Sequence, residues 1–436
     1  TDRALKYFND AMNTYLKLIN EYFIFLSESE KTRFHALLNN RMDMYYNFGI
    51  NNYRRIPEII SNMIDYRIIT KGILLKSSIN IKNEIYNNND PDLRQKYNHW
   101  VGIKEDLVKL YKYTKTEARA LGEDVDSLEN IANSLEKEMS KRSKVFEDAY
   151  NYDKVTWKDI RNELNPDEAA IEIIKVNNYN NAKNRIIYLA LIIKSENTKQ
   201  PELIILNDKD DFETDGTNIY RDQILKQKVS GYDLNSINDT LKYLYEIYWR
   251  KIQDKIKDFK TVYFSPDGIY NQINLATLIN PETNKYLLEE IQLKLVTNLH
   301  EVINQELQFN NSNSNTAILI GDPDFGLDSI DYSEKVKQYK HDQTREYYVI
   351  ESGFRNLTRD IISKLPGTRT EINEIAGSLE KKGFEVEKYL GNDALEEVVK
   401  FAESPKIIHI ATHGKFLKDV EIDHSNLLGF EKKTYT

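Results

Sequence analysis

Apolar residues recur every three or four positions through the first 150 residues, and from Trp157 onward they gather instead into short runs rich in β-branched side chains. The first pattern predicts helices over 3–28, 31–48, 56–88, 91–122 and 127–152, a stack of long antiparallel helices with only Pro57 and Pro91 to interrupt it. In the clearest case Asp126 is placed to cap a helix with Glu129 reaching back from the third position. Leu128, Ile131, Leu135, Met139 and Phe146 then fall on one stripe. The second pattern predicts strands over 170–176, 185–193, 202–206, 261–264, 293–296, 316–320, 384–388 and 406–412, several apolar on both faces as a helix-covered sheet demands. Helices near 236–256, 368–382 and 392–403 lie between them. The fold class is therefore α plus α/β: an N-terminal antiparallel helical array, then an α/β region. The polar run Asn310-Asn-Ser-Asn-Ser-Asn315 is the best internal linker and 338–347 the next loop-like stretch. The change of pattern and the first of these runs divide the chain into 1–153, 154–311 and 312–436.

With 436 residues the chain is long enough for two or three domains with separate cores. It holds no cysteine, which excludes disulfides, zinc–thiolate sites, iron–sulfur clusters and a thiol nucleophile from within this chain, and makes a reducing, cytoplasmic setting the expectation. The net charge of −9 arises from interspersed Lys and Glu, so no basic face offers itself to a phosphate backbone and no direct nucleic-acid partner is expected. The longest apolar run, Ile186-Ile-Tyr-Leu-Ala-Leu-Ile-Ile193, is far short of the ~20 residues of a spanning helix and reads as a buried strand, so no membrane association is expected either. The tyrosines in Asp43-Met-Tyr-Tyr46 and Lys109-Leu-Tyr-Lys-Tyr113 read as helix-packing residues, half-buried with hydroxyls at the surface, ahead of a binding groove. The start at Thr1 without a leader, and the end shortly after Leu427-Leu-Gly-Phe430, suggest a fragment with more to follow.

Chemistry concentrates in Lys406-Ile-Ile-His-Ile-Ala-Thr-His-Gly414. On a helix, His409 and His413 would share a face and invite a metal. In a strand, which the β-branched neighbours dictate, they stand roughly 13 Å apart and cannot share one ion. His409, in mid-strand, reads as a core histidine bonded to backbone. His413, at the strand's C-terminal end beside Gly414, sits where open α/β sheets place their chemistry. No cofactor or metal is expected. A Gly-x-Ser-x-Gly elbow, a His-Glu-x-x-His motif and a phosphate loop are all lacking.

Residues 365–414 resemble the histidine-bearing half of caspases and of their bacterial relatives, the CHAT proteases, in the clan that also holds separase. The carrying segments are Leu365-Pro-Gly-Thr-Arg-Thr-Glu371 opening a helix, Lys382-Gly-Phe-Glu-Val386 as a strand, then a helix and the His413 strand. Three earlier stretches resemble CHAT sequence as well: Val155-Thr-Trp-Lys-Asp-Ile160 with Glu168-Ala-Ala-Ile-Glu172, Tyr263-Phe-Ser-Pro-Asp-Gly268 with Gln272-Ile-Asn-Leu-Ala-Thr-Leu278, and Ala317-Ile-Leu-Ile-Gly-Asp-Pro-Asp-Phe325. The resemblance spans about 155–436. It implies a caspase-like sheet sandwich, with 154–311 as the non-catalytic half and 312–436 as the histidine-bearing half. No 34-residue repeat keeps its spacing in the helical region, though a degenerate tetratricopeptide-like array has this appearance.

The resemblance further implies a cysteine–histidine dyad, with His413 as general base and the backbone N–H of Gly414 in the oxyanion hole. In caspases the histidine precedes the cysteine by about 50 residues. Only 436 − 413 = 23 residues follow here, so the cysteine is expected on a C-terminal segment or second chain beyond this one. Caspases place an arginine two residues before the Gly-Thr pair to grip a substrate aspartate. Leu365 stands there instead, so aspartate specificity is not implied. Arg369 could contact substrate or the sheet edge, but reads first as a solvated charge in a helix's first turn, and Asp267, Asp322 and Asp324 read as turn and cap residues. Two functions follow. One is a cysteine endopeptidase that cleaves a protein substrate once an activating protein engages the N-terminal helices; the other is a catalytically inactive caspase-like scaffold.

Overall fold

The structure, a computed structural model, describes residues 2–23, 26–74, 85, 90–111, 113–142, 155–178, 185–195, 199–207, 212–213, 218–221, 234–303, 314–327, 331, 335, 365–400, 402 and 404–413. In chain order its helices are α1 (Asp2–Tyr22), α2 (Glu28–Asn52), α3 (Ile59–Thr70), α4 (Pro91–Leu110), α5 (Lys115–Ala120), α6 (Val125–Arg142), α7 (Trp157–Glu163), α8 (Leu234–Tyr248), α9 (Arg250–Gln253), α10 (Leu287–Glu290), α11 (Pro366–Glu380) and α12 (Glu396–Lys400). Its strands are β1 (Glu168–Asn178), β2 (Arg185–Lys194), β3 (Glu202–Ile205), β4 (Thr261–Ser265), β5 (Gln292–Leu295), β6 (Thr316–Pro323), β7 (Glu385–Gly391) and β8 (Ile407–Ala411). All the strands expected from apolar runs form. Most of 310–315 and all of 338–347 lie outside the described residues. Among the described residues no helix is long and apolar enough to cross a membrane.

The chain divides into two units, 1–87 with 140–305 and 88–139 with 306–436. A break at 305/306 falls near the boundary expected at 312, and residues 88–139 group with 306–436 and not with 1–87. In the first unit α1 and α2 run antiparallel: Phe8 meets Tyr45 and Phe48, while Tyr15 and Phe23 meet Phe34. Tyr45 and Tyr46 are fully buried rather than half-buried with wet hydroxyls, because α2 packs on α1, on α3 and on β1. Ser27 and Glu30 form the capping box that starts α2. The sheet order is β3-β2-β1-β4-β5, antiparallel at β1–β2 and β2–β3 and parallel at β1–β4 and β4–β5. β1 and β2 are buried along most of their length, as runs apolar on both faces require.

In the second unit α4, α5 and α6 close on their own core of Ile103, Leu107, Leu110, Ala118, Val125 and Ala132. Burial of Val125 draws the start of α6 forward, so the cap is Asp124, whose carboxylate accepts the N–H groups of Asp126 and Ser127, and not Asp126, which pairs with Lys115 at 2.5 Å. The remaining sheet is fully parallel with order β7-β6-β8. Leu319 of β6 faces Ile372 and Ala376 of α11, while Ile318 and Ile320 face Val398 of α12 and Leu395 just before it, so helices cover opposite faces. Among the described residues β8 is the outer strand on one side.

Candidate functional site

In the order β7-β6-β8 the connection leaving β6 turns toward one edge and the next crosses to the other. The crevice between the carboxyl ends of β6 and β8 is therefore a topological switch point, the place where open parallel sheets bind ligands. Asp322 lies at the end of β6, Phe325 in the turn just after it, and His413 two residues beyond β8. His413 is exposed, and its ring stands 5.6 Å from that of Phe325 at 70°. Gly414, the expected oxyanion donor, lies outside the described residues.

Arg369 is neither a bare solvated charge nor turned away from the sheet. Its Nε donates to Asp322 Oδ2 at 2.8 Å, with side-chain exposures of 50% and 14%. The corner between β6 and α11 is tied again by the Asp322 N–H to Thr368 Oγ1 at 3.0 Å, and Thr368 in turn donates to the Leu365 carbonyl. Gly321 allows this approach: a Cβ there would come within 2.5 Å of Ile372 Cγ1. Asp322 has φ 49°, in the left-handed region although it is not glycine. The turn role expected of Asp322 and Asp324 is present, with the pairing to Arg369 in addition.

His409 corrects the expectation of a buried histidine bonded to backbone. It keeps 32% side-chain exposure, and its Nε2 lies 2.9 Å from Glu371 Oε1 on α11. Among the described residues β8 is the outer strand, and on its other face Ile408 and Ile410 are 42% and 50% exposed. Among the described residues no three His, Asp or Glu side chains gather to hold a metal ion.

A second concentration of charge, in the first unit, escaped the sequence reading. Glu172 in the middle of β1 is wholly buried and receives Arg67 Nε at 3.2 Å and Lys71 Nζ at 2.7 Å from the end of α3. Arg67 also reaches Asp267 Oδ2 at 2.7 Å, and Lys71 donates to Ser265 Oγ and to the Pro266 carbonyl. Burial lowers the Lys71 pKa, with the Arg67 charge adding to it against the pull of Glu172. Burial works against ionised Asp267 too, yet Arg67 and the Lys175 N–H hold its carboxyl below the usual range. Asp267 caps Gly268 as expected, and Gly268, at φ 53°, stands where a Cβ would strike the Tyr188 hydroxyl. Both cations are paired, whereas Glu172 Oε2 is buried without a hydrogen-bond partner among the described residues; the cluster joins helix to sheet. The only hint in sequence was one acidic residue inside the run Ala169-Ala-Ile-Glu-Ile-Ile174.

Residues 238–434 match the family model of the CHAT domain. The match takes in β4, β5, the whole β7-β6-β8 sheet and the stretch 365–414, and supports the caspase-like family that those motifs resemble. It does not extend over 155–237. No curated protein matches the chain.

Proposed function

We propose that this chain is the histidine-bearing part of a CHAT cysteine endopeptidase. The supporting observation is the placement of His413, exposed at the switch point of a parallel sheet and inside the CHAT match. With no cysteine among 436 residues, the thiol comes from sequence outside them or from a second polypeptide. His413 takes the thiol proton as the sulfur attacks the scissile carbonyl carbon. The oxyanion is held by main-chain N–H groups, that of Gly414 among them, and His413 returns its proton to the leaving amine. Water then cleaves the thioester with His413 again as base. Arg369, fixed by Asp322, lines the approach of the substrate, and an activating protein binds the N-terminal helices in a cytoplasmic setting; no cofactor takes part. The total absence of cysteine favours a second reading, an inactive caspase-like scaffold.

The test is hydrolysis of a protein substrate by this chain together with its cysteine-bearing continuation or partner. We expect thiol alkylation to abolish cleavage, and His413→Ala to lower kcat/KM by several orders of magnitude with folding intact. This chain alone should cleave nothing. Equal activity of wild type and His413→Ala in the completed protein would leave the scaffold.

A further inference from the structure

The geometry points to Phe325 as the residue that positions the His413 imidazole, an inference that rests on the protease reading. Phe325 occupies the second position of a tight turn after β6, closed by the Leu327 N–H to the Asp324 carbonyl at 3.4 Å and by the Gly326 N–H to Asp324 Oδ1 at 2.9 Å. The Asp324 N–H binds the Gly391 carbonyl at 3.2 Å, which ties the turn to the end of β7. At its base stands Asp322, left-handed immediately before Pro323 and held there by Thr368 and Arg369. A backbone this constrained aims its side chain.

Leu327 uses the turn to pack against Ile318, Ile320 and Leu395. Phe325 does not enter that core and stays 47% exposed, a poor use of an aromatic ring if burial were its purpose. Its described ring contact is the T-shaped one with His413. Among the described residues no group hydrogen-bonds the His413 imidazole. A base that must meet a thiol in one orientation needs a third group to set it, usually a hydrogen-bond acceptor. Here a ring supplies the restraint by narrowing the rotation of the imidazole. Phe325 touches the base and not the reacting atoms, so it is a positioning residue.

The test uses the full chain with 13C-labelled histidines, the His413 resonance being assigned by its loss in His413→Ala. Phe325→Leu should shift the His413 ring-proton signal through loss of the ring current and leave the His409 signal in place as the control for folding. In the completed protease, Phe325→Ala should lower kcat about 10- to 100-fold with KM held within about twofold, the cost of a misaligned base. Phe325→Tyr should restore kcat to within about threefold of wild type. A His413 signal unmoved by Phe325→Leu overturns the contact. Unchanged kcat, or a loss carried by KM alone, overturns the positioning role. If His413→Ala costs no activity, the protease reading has failed and the role falls with it, even where the ring contact is seen.

Discussion

Ion pairs of like geometry carry unlike weights here, and burial decides which matter. Glu172 is wholly enclosed with two cations in contact, whereas the Arg369–Asp322 pair is half in water. We predict that Glu172→Gln costs about 3 kcal/mol because it strands buried cations, and that Arg369→Gln costs less than about 1 kcal/mol. Chemical denaturation measures both; equal losses would deny the buried cluster a structural role. Asp65 tests another burial effect. Its carboxylate accepts the Trp157 N–H at 2.7 Å, and burial pushes its pKa up to about 6. A carboxyl whose folded pKa exceeds its unfolded value costs stability once ionised, so the fold gains as pH falls through 6 toward 4. Between pH 7 and 5 the stability of wild type relative to Asp65→Asn should rise by about 1 kcal/mol; a flat difference would mean that Asp65 titrates normally. The place of His413, just past the end of a strand, could be read in the sequence. His409 misled, because the sequence shows the strand but not that Glu371 of α11 reaches its ring. The pair Arg67–Glu172, 105 positions apart, leaves no periodic trace at all.

Strands were the most legible elements, since a run apolar on both faces has few other uses, and β1 and β2 are buried as such runs demand. Helix ends were less legible, because a side chain two residues away also caps well and packing chooses between them, as Val125 does in favour of Asp124. The end of α3 depends on a residue far downstream. Asn298 Nδ2 donates to the carbonyls of Ile68 and Lys71, each at 2.7 Å, while its Oδ1 accepts the His300 N–H and starts the 3-10 turn Leu299–Val302. The two roles separate by substitution. Asn298→Asp keeps the acceptor for His300 and loses both donors to the helix end, so we predict a loss of about 1–3 kcal/mol. Hydrogen exchange should quicken at the end of α3 and not at 299–302. Equal quickening at both places would mean that the substitution unseats the whole segment and that the cap is incidental.

At the scale of the whole chain, we propose that the change of period near residue 155 marks a change of element type and not a boundary between independent bodies. Periodicity reports which face of an element is apolar, and is silent on what covers that face. In the first unit the covering is joint. Asp43 of α2 accepts the backbone N–H and the side-chain amide of Asn177 on β1, Asn47 donates to the Asn177 carbonyl, and Arg67 and Lys71 neutralise Glu172. A chain beginning at Val155 would keep Glu172 in the sheet with neither cation and leave the Asn177 amide without its carboxylate partner. An unpaired buried carboxylate either draws in water or takes up a proton, and both work against the packed sheet. We therefore predict that residues 155–436 alone retain secondary structure, lose near-ultraviolet circular dichroism, bind hydrophobic dye and aggregate. The full chain should instead lose α1–α3 and the first sheet in one transition, seen as coincident unfolding by tryptophan fluorescence at Trp157 and Trp249 and by hydrogen exchange in α2 and α3. If the shortened chain unfolds cooperatively at the midpoint of the full one, the helices are a separable domain after all and the buried ion cluster adds nothing to the sheet it touches.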